Sequence, residues 1–328
     1  MLYPDLQLYL MDFGIISLGN HAISRMIPAI KSTGSRITHV YSTDRSKGER
    51  ISKELGAEYS SELGVFLKKS FEAVYISSPN YLHFLHAKMS FESGKSVLLE
   101  KPATLKVQDT ETLSRLSKRE GLRFAVGFHL RFHPAIGEVN RSISSGLIGQ
   151  PRFAFGKWTR NSPHYDTTIW RGKPEMAGGG SVVGIGVHVF DSFVNLFGRE
   201  VESVKAYNFP KCSVVEDTMH STFDFRNGII ATSLSSRLIS SDSNDLVIFG
   251  NEGSITVTNF YSTTVSSKLF VNNKLLGEFD GKVDMYAEEV KDFVGRCEKI
   301  AGPEEALLST KMHLYSQESA CTGKSVQV

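Results

Sequence analysis

Three short stretches hold side chains that can move a proton or steady a developing charge. Residues 100–102 read Glu-Lys-Pro, an acid beside an amine at the end of an apolar run. Residues 78–83 place Ser78, Pro79, Asn80 and His83 just after another such run. Residues 177–193 read AGGGSVVGIGVHVFDSF, glycines and valines that carry His188 and, three residues on, Asp191. A lysine amine can steady an alkoxide, and an imidazole with a reference pKa of about 6.5 exchanges protons near neutrality. Taken singly, each group has a plainer reading. A Glu-Lys pair at a strand edge is usually solvated, and a His and an Asp three apart on a helix are usually a structural pair. Their weight depends on the elements that position them.

Five apolar runs rich in β-branched residues recur in the first half: 13–19, 37–43, 73–79, 96–102 and 122–128. Helical stretches such as 47–56, 81–95 and 107–121 separate them, the last with Val107, Leu113 and Leu116 on one face and Gly121 as its stop. This repetition predicts an α/β fold. Its N-terminal Rossmann domain has a parallel sheet, right-handed crossovers and ligands at the carboxyl ends of the strands. Proline cannot continue a ladder, so Pro79 and Pro102 stop their strands where a ligand would lie.

After the first run comes Ser17-Leu18-Gly19-Asn20-His21-Ala22, a G-x-G-x-x-G/A dinucleotide loop in two of its three positions. Gly19 would let the backbone approach a pyrophosphate and Ala22 would let helix and strand pack closely, while Ser17 replaces the first glycine. The second run ends Tyr41-Ser42-Thr43-Asp44-Arg45. An acid at its end would hold a ribose hydroxyl, whereas hydroxyls with an arginine suit a 2′-phosphate. Ser42 stands where the acid is expected and Arg45 is close by, which favours NADP slightly over NAD. Asp44 remains the alternative if the strand runs longer.

Beyond residue 128 the pattern turns β-rich, with turn signals at 226–228, 251–253 and 272–273. It predicts a C-terminal α+β domain on a large, mostly antiparallel open sheet. The exception is 181–197, a helix with Val183, Val187, Phe190, Val194 and Phe197 on one face. Gly184 and Gly186 each cost such a helix about 1 kcal/mol, so something must approach it closely. The expected domains are 11–128 for the dinucleotide and 129–328 for substrate and oligomerisation. Residues 1–10 read as an extension ahead of Met11.

Composition narrows the class further. The chain has 328 residues, 41% hydrophobic and 22% charged, with 37 Lys and Arg against 35 Asp and Glu. That is soluble globular material without the basic face a nucleic acid requires, and its apolar runs read as too short for a bilayer. Cys212, Cys297 and Cys321 are far apart, form no CxxC and indicate neither a disulfide framework nor a cysteine-rich metal site. A reducing, cytoplasmic setting fits them. His83 and His86, or His129 and His133, lack the carboxylate or cysteine that would complete a metal ligand set.

With these pieces in order, the chain resembles the glucose–fructose oxidoreductase, inositol dehydrogenase and rhizopine-catabolism (Gfo/Idh/MocA) family over nearly all of 11–328. FGIISLGN, SSPNYLH, LLEKP, GFHLRFHPAI, GLIGQPR, WRGKPEMAGGGSVVGIGVHVFD and the last 25 residues carry the resemblance. It implies hydride transfer between NAD(P) and a hydroxyl carbon of a sugar, cyclitol or related polyol, in a homodimer or homotetramer built through the C-terminal sheet. Mapped onto this chain, it places Ser78, Pro79, Asn80 and His83 along the nicotinamide half of the cofactor, with Glu100 and Lys101 beside the ring. Lys101 would polarise the reacting oxygen, His188 would exchange the hydroxyl proton, and the Lys101–Pro102 bond is often cis in this motif. Arg131, Trp158, Arg160, His164, Tyr165, Trp170 and Arg171 fall in segments the family places near the pocket. Of these, His164 and Tyr165 are the favoured substrate contacts, with Arg131 beside them. One departure matters: the family pattern has an aspartate where this chain has Gly184. That loss raises a second expectation, a cofactor-binding regulator or sensor with little or no turnover.

Overall fold

The computed structural model describes residues 10–162, 166–241 and 243–328. In the first half, β1 (Asp12–Ile16), β2 (Arg36–Tyr41), β3 (Glu58–Ser60), β4 (Ala73–Ile76), β5 (Ser96–Leu99) and β6 (Phe124–Val126) form one sheet in the order 3-2-1-4-5-6. Every pairing in it is parallel. β4 and β5 are buried at every position, as strands covered on both faces must be. Chain order reverses between β1 and β4, so the loops after these strands open a crevice at their carboxyl ends. All five expected strands form. The sixth, β3, is a three-residue edge strand, Glu-Tyr-Ser, with no β-branched residue to signal it.

The loop after β1 carries one local conflict. Ser17 has φ +76°, the left-handed region. A side chain there costs about 1–2 kcal/mol and glycine pays none of it. The conformation is held from outside, because Ser17 N–H donates to Tyr41 O at 2.9 Å and Ser77 Oγ donates to Ser17 O at 3.1 Å. Ser17→Gly is therefore expected to stabilise the protein by about 1 kcal/mol, read as a higher urea midpoint. An unchanged or lower midpoint would show that the serine side chain offsets its own strain.

The second sheet contains β7 (Pro151–Thr159), β8 (Val201–Phe209), β9 (Thr218–Phe225), β10 (Ile230–Ser236), β11 (Leu246–Gly250), β12 (Ser254–Thr258), β13 (Ser267–Val271), β14 (Lys274–Phe279) and β15 (Val326–Gln327). Their order is 14-13-12-11-7-10-9-8-15, antiparallel throughout except where β7 meets β10. One face packs on the helices Val187–Phe197 and Pro303–Thr322. On the other, Phe153, Ile230 and Phe249 stand in register across three adjacent strands and are all exposed.

After β14 the chain returns to the first sheet. Tyr286, Ala287, Val290, Phe293 and Val294 of the helix Met285–Val294 join Phe13, Ile15, Ile27 and Ile30 in one core. Val126 N–H donates to Ala301 O beside it. The first domain's core thus draws on residues far beyond 128.

Two sequence readings need correction. Cys212 and Cys321 form a disulfide across 109 residues, with Cα atoms 4.5 Å apart. The pairing was invisible in the spacing, and it removes the cysteine argument for a reducing compartment. The helical run Pro174–Phe197 is long and apolar enough to cross a membrane by composition, contrary to the reading of short runs. Its most apolar window is 83% buried inside the protein, as a core helix is.

Candidate active site

A cavity of about 350 Å³ opens where the strand ends of the first sheet face the glycine-rich helix. His21, Ser78, Asn80, His83, Glu100, Lys101, Gly184 and His188 all line it. Segments separated by more than 160 residues therefore converge as the motifs required.

Lys101 lies at the centre. Its amine donates to Gly184 O at 2.7 Å and Val183 O at 3.1 Å, and its bond to Pro102 is cis. The two carbonyls belong to a π-helical turn, Val182–Gly186, that leads into the α-helix Val187–Phe197. Widening a helix in this way displaces its carbonyls from their usual partners and is frequent at functional sites. Burial lowers the Lys101 pKa to about 8; Glu100 opposes the fall, while Arg160 and Arg171 add to it.

Glu100 is fixed by Tyr75 Oη, which donates at 2.9 Å, and by His21 Nε2 at 3.2 Å. Burial alone would raise its pKa, but His21 and Lys101 bring it to about 2. His83 ties two loops together, its ring nitrogens 2.8 Å from Pro102 O and Ser78 O. Asn80 Nδ2 donates to Ala177 O at 2.8 Å, joining the β4 loop to the start of the glycine run.

His188 is buried and ringed by Phe128, His129 and Trp158 at centroid distances of 5.6, 5.0 and 5.4 Å. Among the described residues its Nδ1 has no hydrogen-bond partner. Burial, then Lys101 and His129, push its pKa well below 6.5, so the ring is neutral at pH 7. That places it below the reference value on which the sequence expectation rested.

The glycine run is explained only in part by the cavity. Glu216 caps the helix start, accepting from Gly180 N–H at 2.9 Å and Val182 N–H at 2.6 Å. Gly186 instead meets β10, since a Cβ there would stand 2.9 Å from Ser235 Oγ. The close approach is by the sheet at Gly186, while Gly179, Gly180 and Gly184 line the cavity.

The cofactor loop fits a dinucleotide. Nothing stands within 4 Å of where a Cβ would be on Gly19, which leaves the backbone open to a phosphate. The helix opens at Asn20, its first backbone bond runs from Ile23 N–H to Gly19 O at 3.1 Å, and the N–H groups of a helix's first turn lack intrahelical acceptors, as an anion site needs. Asn20 O accepts from Ser24 Oγ at 2.7 Å within that turn. At the end of β2, Ser42 is buried and its Oγ accepts from Asp44 N–H at 3.1 Å. The Asp44 carboxylate caps the helix Arg45–Leu55, accepting from Lys47 N–H at 3.0 Å. Thr43 and Arg45 are exposed, and Arg45 pairs with Glu49 at 2.7 Å.

Not every expected contact is present. Arg131 does not line the cavity; it grips Asp191 with two nitrogens at 2.7–3.0 Å, both residues buried. Asp191 is thereby turned away from His188. Trp158, Arg160, Trp170 and Arg171 do line the cavity, whereas His164 and Tyr165 lie outside the described residues. Sequence reasoning missed His129, Thr263, Tyr286 and Glu289 in the wall. Glu289 is almost fully buried, and burial followed by Glu100 and Asp191 raises its pKa well above 4.5. Its signal was an acid on the apolar face of the helix Met285–Val294, between Tyr286 and Phe293.

Comparison with known proteins bears on both halves of the chain. Residues 11–128 match a family described as oxidoreductases with an NAD-binding Rossmann fold, and residues 136–256 match the Gfo/Idh/MocA C-terminal domain. An oxidoreductase of Rhizobium meliloti is 29% identical over 259 residues, 78% of this chain and 76% of its own. The scyllo-inositol 2-dehydrogenase (NAD(+)) of Bacillus subtilis is 28% identical over 200 residues, 59% of this chain and 55% of its own. Among solved structures, the aldose-aldose oxidoreductase of Caulobacter crescentus superposes with a TM-score of 0.87. That match spans 97% of this chain and all of the other at 21% identity, a likeness of fold.

Proposed function

The chain belongs to the Gfo/Idh/MocA family of NAD(P)-binding oxidoreductases, and on that premise we propose a sugar, cyclitol or related polyol as substrate and Lys101 as its acid–base group. The observation that carries this reading is the amine of half-buried Lys101, held between two backbone carbonyls with its pKa lowered to about 8. An acid–base group works best when its pKa lies near the working pH. When bound, nicotinamide supplies the carbon that takes or gives the hydride. The remaining work belongs to the chain.

In the oxidising direction, unprotonated Lys101 accepts the hydroxyl proton of the substrate. In the reducing direction, its ammonium donates to the carbonyl oxygen and steadies the charge that develops there. His188, neutral and with Nδ1 unpartnered among the described residues, orients the same oxygen by a hydrogen bond. Glu100, itself fixed by Tyr75 and His21, keeps the lysine from losing more of its basicity. The regulator reading rests on Gly184 alone; an amine poised for proton transfer is what supports turnover.

For the cofactor, the proposal is NADP. Ser42 puts no carboxylate at the end of β2, and the Asp44 carboxylate is committed to a helix cap. Arg45 is exposed and pairs with Glu49 in a surface ion pair of the kind worth little, so it is available to a 2′-phosphate. The test is turnover of a polyol and aldose panel with each cofactor. NADP is expected to give the higher kcat/KM, and Ser42→Asp to move the NADP-to-NAD ratio at least tenfold toward NAD. Equal ratios in the two proteins would remove Ser42 from the choice. Cofactor binding without turnover on any sugar or polyol would remove the substrate class.

A further inference from the structure

We propose that Cys212 and Cys321 form a thiol–disulfide exchange site on the surface, and that its state sets how firmly the glycine run 178–184 is held. The site stands on its own geometry, while its consequence for turnover rests on the dehydrogenase reading of Lys101.

Both cysteines are exposed, so a thiol in solution can reach the bond. Cys321 is the penultimate residue of the helix Pro303–Thr322, and Cys212 lies in the loop 210–217 between β8 and β9. The bond ties that loop to the end of that helix. A small dithiol is the co-reactant the exchange needs. One of its thiolates attacks a protein sulfur, and the other cysteine leaves as a thiolate and takes up a proton. The second thiol of the reagent then displaces the remaining cysteine. Two cysteine thiols form, and the dithiol closes to its own disulfide.

Behind the exposed bond the same loop reaches the active site. Glu216 is fully buried at its far end, and its carboxylate accepts from Gly180 N–H, Ser181 Oγ and Val182 N–H at 2.6–3.0 Å. Its carbonyl accepts from Ser181 N–H at 2.8 Å. The fit is close, since a Cβ on Gly180 would stand 1.9 Å from Glu216 O. Val183 and Gly184 follow directly, and their carbonyls hold the Lys101 amine. Gln317, one helical turn before Cys321, donates to Gly178 O at 3.0 Å and to Val214 O at 3.2 Å. Helix end, loop and glycine run therefore meet beside the bond. Asn208 accepts from Cys212 N–H at 2.9 Å and donates to Ser213 O at 3.0 Å, but these bonds join the loop only to its own strand. The disulfide is the covalent link between loop and helix. Cutting it lets the loop open locally, and the run that Glu216 caps loosens with it.

Amide hydrogen exchange in the full chain tests this without relying on turnover. The forms compared are the oxidised protein, the same protein treated with dithiothreitol, and the variant carrying both Cys212→Ser and Cys321→Ser. A thiol count after denaturation should find Cys297 alone before reduction and all three cysteines after it. Residues 178–184 should exchange about tenfold faster once the bond is cut, with β4 and β5 unchanged. Reoxidation with oxidised glutathione should restore the slower rate, and Cys297→Ser should leave it where it was. Polyol turnover should fall in the reduced form and recover with the bond. Three free thiols after treatment with oxidised glutathione, a bond that dithiothreitol cannot reduce in the folded protein, or unchanged exchange at 178–184 would overturn the site. Faster exchange throughout, β4 and β5 included, would also overturn it, because the bond would then be a staple for the whole fold. Local loosening with equal turnover of both forms would break the link to Lys101. Local loosening with no hydride transfer by either form would keep the exchange site and defeat the dehydrogenase reading. Turnover of a polyol without local loosening would do the reverse.

Discussion

Lys101→Ala is expected to slow turnover roughly 10²–10⁴-fold, the usual contribution of a positioned acid–base group, while the protein folds and binds cofactor. The pH dependence identifies the group. With a pKa of about 8, the oxidising rate should climb through pH 8 and level off above it, because oxidation needs the free amine. The reducing rate should fall through the same pH, because reduction needs the ammonium. Glu100→Gln removes the influence that raises the lysine's pKa and should move this limb to lower pH; His188→Ala should lower the rate without moving it. A purely structural lysine would lose stability when removed, and here the opposite sign is expected. The fold disfavours the ammonium, so below pH 8 the native state carries a penalty that lifts between about pH 8 and 10.5 as the unfolded chain also deprotonates. Lys101→Ala should therefore melt no lower than the parent at pH 7, and the parent should gain stability across that window. A limb that stays at pH 8 in the Lys101→Ala protein would assign it to another group.

Much of this site could be read in the chain because strand ends announce themselves. Ser17–Ala22, Ser78–His83 and Glu100–Pro102 each follow a short apolar run, and a parallel sheet brings such ends to one edge whatever else the fold contains. His188 was legible for a different reason, a polar residue at fixed spacing on an otherwise apolar helix. What escaped depends on long-range pairing that no local pattern encodes. Tyr286 and Glu289 enter the wall from a helix that follows all but one of the strands of the second sheet. Cys212 and Cys321 meet across 109 residues. The protonation of the site escaped too. Reference pKa values put His188 near neutrality and Lys101 far above it, but His188 is buried and Lys101 half-buried, and desolvation lowers both toward their neutral forms. On the proposed reading the two exchange roles, and the packing of Phe128, His129 and Trp158 around the imidazole is the part no local pattern encodes.

Asp191→Ala is expected to cost about 3–5 kcal/mol, the range for breaking a buried ion pair by removing one partner. Arg131 and Asp191 are 8% and 2% exposed. Burial pulls the Arg131 pKa down, but Asp191 more than offsets it, so the guanidinium stays charged. Without Asp191 that nearly inaccessible charge loses its hydrogen-bonded carboxylate, and Glu305 and Glu289 act on it more weakly. The pair also joins three separate pieces. Arg131 sits in the turn His129–Phe132, Asp191 on the glycine-rich helix, and Arg131 Nη1 donates to Lys299 O at 3.2 Å in the segment returning to the first sheet. Both sides of the active-site cavity are thereby held in one frame, since His129 and His188 belong to the two elements it links. Replacing both partners, Arg131→Leu with Asp191→Leu, removes the stranded charge and is expected to restore most of the lost stability. Urea unfolding of the two single variants and the double variant completes the cycle. Full additivity would mean that the residues stabilise the fold independently, and the account of a shared ion pair would fail. A large favourable coupling in stability, with turnover per folded molecule still reduced in the double variant, would show that the pair also sets the distance between His129 and His188.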